Sequence, residues 1–185
     1  MKHVAVYGGS FDPPHLCHLL LTTYAITRGD FDEVRITPVY AHPFHKSLAP
    51  FDTRVDMLRR SFAFMGPRVV IDTIEKELPE PNYTIGTVRA MLERDEDIKI
   101  TWLCGADVYA ERHRWKDWSE LEGLVDFQVY GREGTSEDCT SQNLPLLPNI
   151  SSSEIRRKIM RGDNVEHIVP RDALAIIQRH GLYGA

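Results

Sequence analysis

Five short runs of apolar, mostly β-branched residues, Val4–Tyr7, Val34–Thr37, Val69–Asp72, Ile98–Leu103 and Val125–Tyr130, are each separated from the next by a segment able to form a helix. A strand covered on both faces reads as a continuous apolar run, so this order predicts an α/β chain built on a parallel sheet. The helices expected are Leu16–Thr27, Thr53–Phe64, Thr84–Glu93, Ala106–Arg112 with Trp118–Leu121, Ser152–Met160 and Arg171–Arg179. Right-handed crossovers put helices on both faces of such a sheet. Tyr40–Pro50 and Arg132–Pro148 read as loops, neither long enough for an interdomain linker, and the charged run Glu93–Asp97 as a solvated helix end. No internal repeat is evident, so residues 1–185 are expected to form one domain, with the helical part from about 150 to 185 packed on it.

The 42% hydrophobic content of the 185 residues suffices for one well-buried core. The few apolar residues before Gly8 are too short for a signal peptide and nowhere do eighteen apolar residues run together, which leads to the expectation of a cytoplasmic chain with no membrane partner. Cys17, Cys104 and Cys139 are odd in number and widely spaced, indicating neither a disulfide framework nor a zinc ribbon. A formal net charge of −5 argues against broad binding to a nucleic acid polymer, while allowing a local basic pocket for a small anion.

The segment "GGSFDPPHLCH", residues 8 to 18, follows the first predicted strand. Ligands of open parallel sheets bind beyond the C-terminal strand ends, so its place is informative. Gly8 and Gly9 allow close approach of backbone to a ligand, Pro13 and Pro14 suit a loop entering a helix, and the helix start offers N–H groups to an anion. His15 and His18, three apart, share one helical face and could together hold a polyphosphate. The alternative is a generic glycine turn followed by two surface histidines. Zinc fits less well, because no carboxylate or cysteine pair stands at the usual spacing. Neither G-x-G-x-x-G nor G-x-x-x-x-G-K-[ST] is present.

This segment resembles the G-x-F-D-P-x-H-x-G-H signature of the nucleotidyltransferase superfamily, and "ISSSEIR", residues 150 to 156, resembles its partner motif I-S-S-T-x-I-R. "HPFHK" at 42 to 46, "NYTIGT" at 82 to 87, "GAD" at 105 to 107, "WKDW" at 115 to 118 and "GLY" at 181 to 183 are similar to segments of the bacterial nicotinate-nucleotide adenylyltransferases. Phosphopantetheine adenylyltransferases share the first motif but resemble the chain less around its Trp and Arg segments. The resemblance implies a Rossmann-like open sheet of nucleotidyltransferase type, with ATP and a pyridine mononucleotide as partners and Mg2+ carried on the ATP phosphates. Adenylyltransferases for nicotinamide mononucleotide or another phosphorylated acceptor, and a regulator that binds nucleotide without turnover, remain the alternatives.

The resemblance also assigns residues. Gly8, Gly9, Ser10, Phe11, His15, His18, Gly105, Asp107, Ile150, Ser151, Ser152 and Arg156 are expected around ATP, with His15, His18 and Arg156 catalytic; Asp12, His45, Lys46, Thr84, Trp115 and Arg132 are expected around the mononucleotide. Several carry a second meaning of their own. Ser151-x-x-Glu154 is a capping box before a helix, and the same capped start can bind phosphate, with Arg156 suited to fork-like recognition. Asp107 suits a ribose hydroxyl or an ordinary helix start. Trp118 is expected to pack structurally, and Arg157 to face solvent. No carboxylate cluster predicts a protein-held metal. Two positions depart from the pattern: Cys17 stands where the motif has glycine, and Gly86 where related sequences often carry an acid. Cys17 could narrow the nucleotide space, shift the helix or be accommodated, and a covalent role for its thiol has no sequence neighbour to activate it.

Overall fold

A computed structural model describes residues 1–44, 47–133 and 144–185. The strands are β1 (Lys2–Gly9), β2 (Glu33–Pro38), β3 (Val69–Ile71), β4 (Ile98–Gly105) and β5 (Asp126–Tyr130), and all pair in parallel in the order β3-β2-β1-β4-β5. The helices are α1 (Leu16–Arg28), α2 (Phe51–Phe62), α3 (Thr84–Arg94), α4 (Ala106–Ala110), α5 (Trp118–Leu124), α6 (Ser152–Met160) and α7 (Arg171–Arg179). From β1 the chain winds outward to β2 and β3 and then returns to place β4 on the other side of β1. The C-terminal ends of β1 and β4 therefore flank the reversal point, where open α/β sheets hold ligands.

Side-chain alternation along β1 divides the core. Val4 and Val6 face Ile85, Val88 and Met91 of α3 and Leu121 of α5, whereas Ala5 faces Leu21 and Ala25 of α1 and Leu58 and Phe62 of α2. A third cluster fixes the C-terminal helices: Ile155 of α6 and Ala173, Ile176 and Ile177 of α7 close over Met57 of α2. α2 thus presents two apolar faces, one to the sheet and one to α7.

The strands expected from sequence are present; β1, β2 and β4 run further, β1 and β4 reaching the glycines that begin their loops, whereas β3 stops at Ile71 and β5 starts at Asp126, each one residue short of its apolar run. α2 starts at Phe51 behind Pro50 rather than at Thr53 and ends at Phe62, where a 3-10 turn leads to Gly66 at φ +78°. Its proline-preset entry precedes the first polar residue that reads as a cap. The segment expected as one helix over Ala106–Arg112 stops at Ala110 and continues as a separate 3-10 turn, Arg112–Arg114. The run Glu93–Asp97 is more than a solvated end: Arg94 binds Asp72 at 2.6 Å and Asp95 binds Arg35 of β2 at 2.6 Å, joining α3 to the sheet.

Candidate active site

The loop leaving β1 is shaped by two aromatic rings. A Cβ on Gly8 would lie 2.5 Å from the Trp102 ring and one on Gly9 3.2 Å from the Phe11 ring, so both glycines admit protein side chains. Phe11 adopts φ +48°, an uncommon conformation for a bulky residue, and is held there by edge-to-face packing on Tyr7 and His18 at ring separations of 5.4 and 4.8 Å. The next turn delivers His15, in extended backbone, to the start of α1. The His15 and His18 rings stack 3.6 Å apart, and the His15 backbone N–H donates to His18 Nδ1 at 3.0 Å. With Nδ1 accepting, the proton of the neutral His18 ring is on Nε2, making that atom a donor. Burial and the nearby Arg132 cation push His15 down to about 3; burial, His15 and Arg132 lower His18 as well.

The second motif locks onto this loop. Ser151 caps α6 by accepting from the Glu154 N–H at 3.2 Å, Ser152 Oγ donates to the Pro13 carbonyl at 2.9 Å, and Arg156 donates to the Asp12 carbonyl at 2.7 Å. The Cys17 thiol donates to the Pro148 carbonyl at 3.2 Å, just before Ile150. The Leu16 N–H, one of those expected to face an anion, instead donates to the Ile168 carbonyl at 2.9 Å. The starts of α1 and α6 therefore abut through named bonds. Arg156 keeps about a third of its side chain exposed (31%), while Arg157 faces solvent in an ion pair with Glu154.

Two of the residues expected around the second substrate, Thr84 and Trp115, lie on adjoining segments. Thr84 opens α3 directly after Tyr83, over whose ring the Lys116 ammonium sits at 4.8 Å, which brings the "WKDW" and "NYTIGT" segments together. Trp115 and Trp118 pack edge to face at 5.8 Å and both reach Phe127, so Trp115 is part of an aromatic cluster. Arg114 lies 4.9 Å over Phe44 from the loop after β2. A groove of about 300 Å³ runs along Pro79, Tyr83, Gly86, Arg89 and Lys116; nothing lies within 4 Å of where a Cβ on Gly86 would be, so the missing side chain leaves open space. Asp107 and Arg132, expected on different substrates, instead form one ion pair at 3.3 Å. A Cβ on Gly105 would meet the Asp107 carboxylate at 2.5 Å, so a side chain there would displace the end of Asp107. His45 and Lys46 lie outside the described residues.

Asp12 is only 1% exposed; its carboxylate accepts from the Ala49 N–H and the Tyr183 hydroxyl, and Arg156 approaches to 3.8 Å. Sequence reasoning passed over three supports. Arg54 is buried and donates to the carbonyls of Ser10, Val39 and Ala49, joining the loops after β1 and β2; its signal was a cation on the apolar face of α2, in register with Met57, Leu58 and Ser61. Glu75 accepts from the Tyr40 N–H and Thr87 Oγ, and Asn82 accepts from the Ala41 N–H at 2.6 Å, setting the loop after β2 against the start of α3. Tyr183, the middle residue of the 3-10 turn Leu182–Gly184, had no chemical signal beyond its place in "GLY".

An open parallel sheet with two helix starts converging at the reversal point, one bearing paired histidines and the other Ser-Ser and Arg, defines an α/β nucleotide-binding protein. The cytidylyltransferase-like family model matches residues 6–158, and the chain belongs to that family and, within it, to the nicotinate-nucleotide adenylyltransferases. It is 35% identical over 186 residues, 98% of this chain and 97% of the relative, to a "Probable nicotinate-nucleotide adenylyltransferase" of Anaeromyxobacter dehalogenans. It is 35% identical over 181 residues, 98% of this chain and 94% of the relative, to the protein so named in Myxococcus xanthus. The fold is also that of Plasmodium falciparum nicotinic acid mononucleotide adenylyltransferase complexed with NaAD, at a TM-score of 0.84 and 17% identity over 99% of this chain and 98% of that one.

Proposed function

We propose that the chain transfers the adenylyl group of ATP to nicotinate mononucleotide, giving deamido-NAD and pyrophosphate. The observation that carries this reading is the union of the histidine-bearing start of α1 with the Ser-Ser-Arg start of α6 at the end of β1, in a chain whose full-length relatives bear that name. The acceptor phosphate is already ionised near neutral pH, so one of its oxygens attacks the α-phosphorus directly. The bond from the α-phosphorus to the bridging oxygen of pyrophosphate breaks in line, and the electron pair leaves with that oxygen.

In this reading His18 Nε2–H donates to the phosphoryl oxygens, His15 supports it, and Ser151, Ser152 and Arg156 receive the triphosphate. Asp107, steadied by Arg132, takes the ribose of ATP. Thr84, Trp115, His45 and Lys46 take the mononucleotide, and Asp12 serves it by shaping the loop. Cys17 takes no part in bond making: its thiol is buried on Pro148 and burial raises it above the ordinary thiol range. Adenylyltransferases acting on ATP generally use a divalent metal. Among the described residues no three His, Cys, Asp or Glu side chains gather to hold one, so we assign Mg2+ to the ATP phosphates as part of the substrate.

Among the described residues no helix is long and apolar enough to cross a membrane; a single domain in the cytoplasm is part of the same proposal. The test is pyrophosphate release with ATP and a panel of phosphorylated acceptors. Nicotinate mononucleotide is expected to have the highest kcat/KM, because a carboxylate accepts from backbone N–H groups that an amide NH₂ would oppose. An equal or higher value for nicotinamide mononucleotide rejects the acceptor, and no release with any acceptor rejects the transfer.

A further inference from the structure

We infer that Tyr183, at the C-terminal turn, is a positioning residue for ATP that acts through Asp12 and Arg156; the inference rests on the nucleotide reading of the site but not on the identity of the acceptor.

The turn is built to bring one hydroxyl inward. Tyr183 adopts φ +60°, between Gly181 at +57° and Gly184 at +80°. An L-residue adopts a left-handed conformation only at a cost, so surrounding contacts must hold it. Leu182 and Tyr183 rest on the cluster formed by α2, α6 and α7. The Tyr183 hydroxyl donates to Asp12 Oδ1, and burial together with the adjacent Asp12 carboxylate raises the phenol far above its ordinary range, keeping it in the donating form.

Asp12 links this turn to the nucleotide site. Its carboxylate is buried beneath the first loop and has three neighbours able to donate or neutralise: Tyr183, the Ala49 N–H at 3.3 Å and Arg156 at 3.8 Å. Arg54, whose charge also acts on Asp12, has its Nε, Nη1 and Nη2 engaged by three carbonyls. If the Tyr183 donor were lost, Arg156, already 3.8 Å from the carboxylate and the closest cation to it among the described residues, would move onto it, because a buried charge short of a donor recruits the nearest one. Arg156 now spends one Nη1 bond on the Asp12 carbonyl and one Nη2 bond on the exposed Ser153 hydroxyl at 3.3 Å, and about a third of its side chain stays exposed (31%). By satisfying Asp12, the Tyr183 hydroxyl leaves Arg156 available to the triphosphate.

The inference is tested by a double-mutant cycle read by calorimetric binding of α,β-methylene ATP, with each protein measured well below its melting midpoint. Tyr183→Phe is expected to weaken binding about tenfold, the scale of one charge-assisted hydrogen bond. In an Arg156→Ala background the same change should alter binding less than about twofold, because the residue through which it acts is absent. Wild-type affinity in Tyr183→Phe, or a tenfold loss persisting in the Arg156→Ala background, overturns the inference; a merely structural tail would give the second result. Because this readout needs no acceptor, failure of the acceptor assignment leaves it standing, whereas failure of the wild-type protein to bind the analogue removes both.

Discussion

The rings of His15 and His18 stack at 3.6 Å while the His15 backbone N–H occupies Nδ1 of its partner. Burial and the nearby Arg132 cation hold the pair neutral, and two stacked imidazolium ions would repel each other. His15 is ordinarily protonated below 6.5 but here only below about 3, so between those values the unfolded chain binds a proton that the folded chain refuses. Its contribution to stability is complete above pH 6.5 and is lost as the pH falls toward 3. Urea unfolding from pH 7 to pH 4 should show this decline, and His15→Gln should make it shallower. An identical slope in the variant would count against a buried neutral His15.

A role for His18 Nε2 as donor predicts that His18→Ala lowers kcat about 10²–10³-fold while the melting midpoint stays within a few degrees. His18→Gln, whose amide nitrogen reaches toward the Nε2 position, should recover part of the loss. Wild-type turnover in folded His18→Ala would remove the assignment.

At Cys17 the expected outcome is continued activity in both Cys17→Gly and Cys17→Ser. The buried thiol meets Pro148, and serine can donate to the same carbonyl. Mass spectrometry of the wild type after ATP addition should find no nucleotide adduct. An adduct on Cys17, with both variants inactive yet folded, would replace direct transfer by a two-step mechanism.

Replacing Arg54 by Met keeps much of its volume but strands the carbonyls of Ser10, Val39 and Ala49. Each unsatisfied buried acceptor costs about 1–3 kcal/mol, so a loss of roughly 3 kcal/mol in unfolding free energy is expected. Chemical denaturation measures it directly, and a change below 1 kcal/mol would show that water replaces the guanidinium.

The sheet was legible because burial on both faces leaves unbroken apolar runs, and the two motifs were legible because helix starts that bind anions use few residue types. Helix limits were less so: α2 begins behind Pro50, and the segment from Ala106 breaks at Ala110 as its chain turns toward the aromatic cluster of Trp115, Trp118 and Phe127. The supports of the site were the least legible part. Arg54, Glu75 and Tyr183 act on backbone groups or carboxylates far along the chain, and neither periodicity nor spacing says which distant group a buried polar atom will meet. The pairing of Asp107 with Arg132 was hidden for the same reason, each residue suggesting a ligand when considered alone.

The Trp102 ring beneath Gly8 couples a position in the nucleotide loop to one on the neighbouring strand. Any side chain at position 8 would collide with the indole, so the glycine is imposed from the core side of the sheet whatever nucleotide lies above it. Among homologous chains the two positions should therefore drift together: a residue larger than glycine at 8 becomes admissible where 102 carries a smaller one. Selection for a well-packed interior would then hold the loop sequence in place even in a lineage that had ceased to transfer nucleotides.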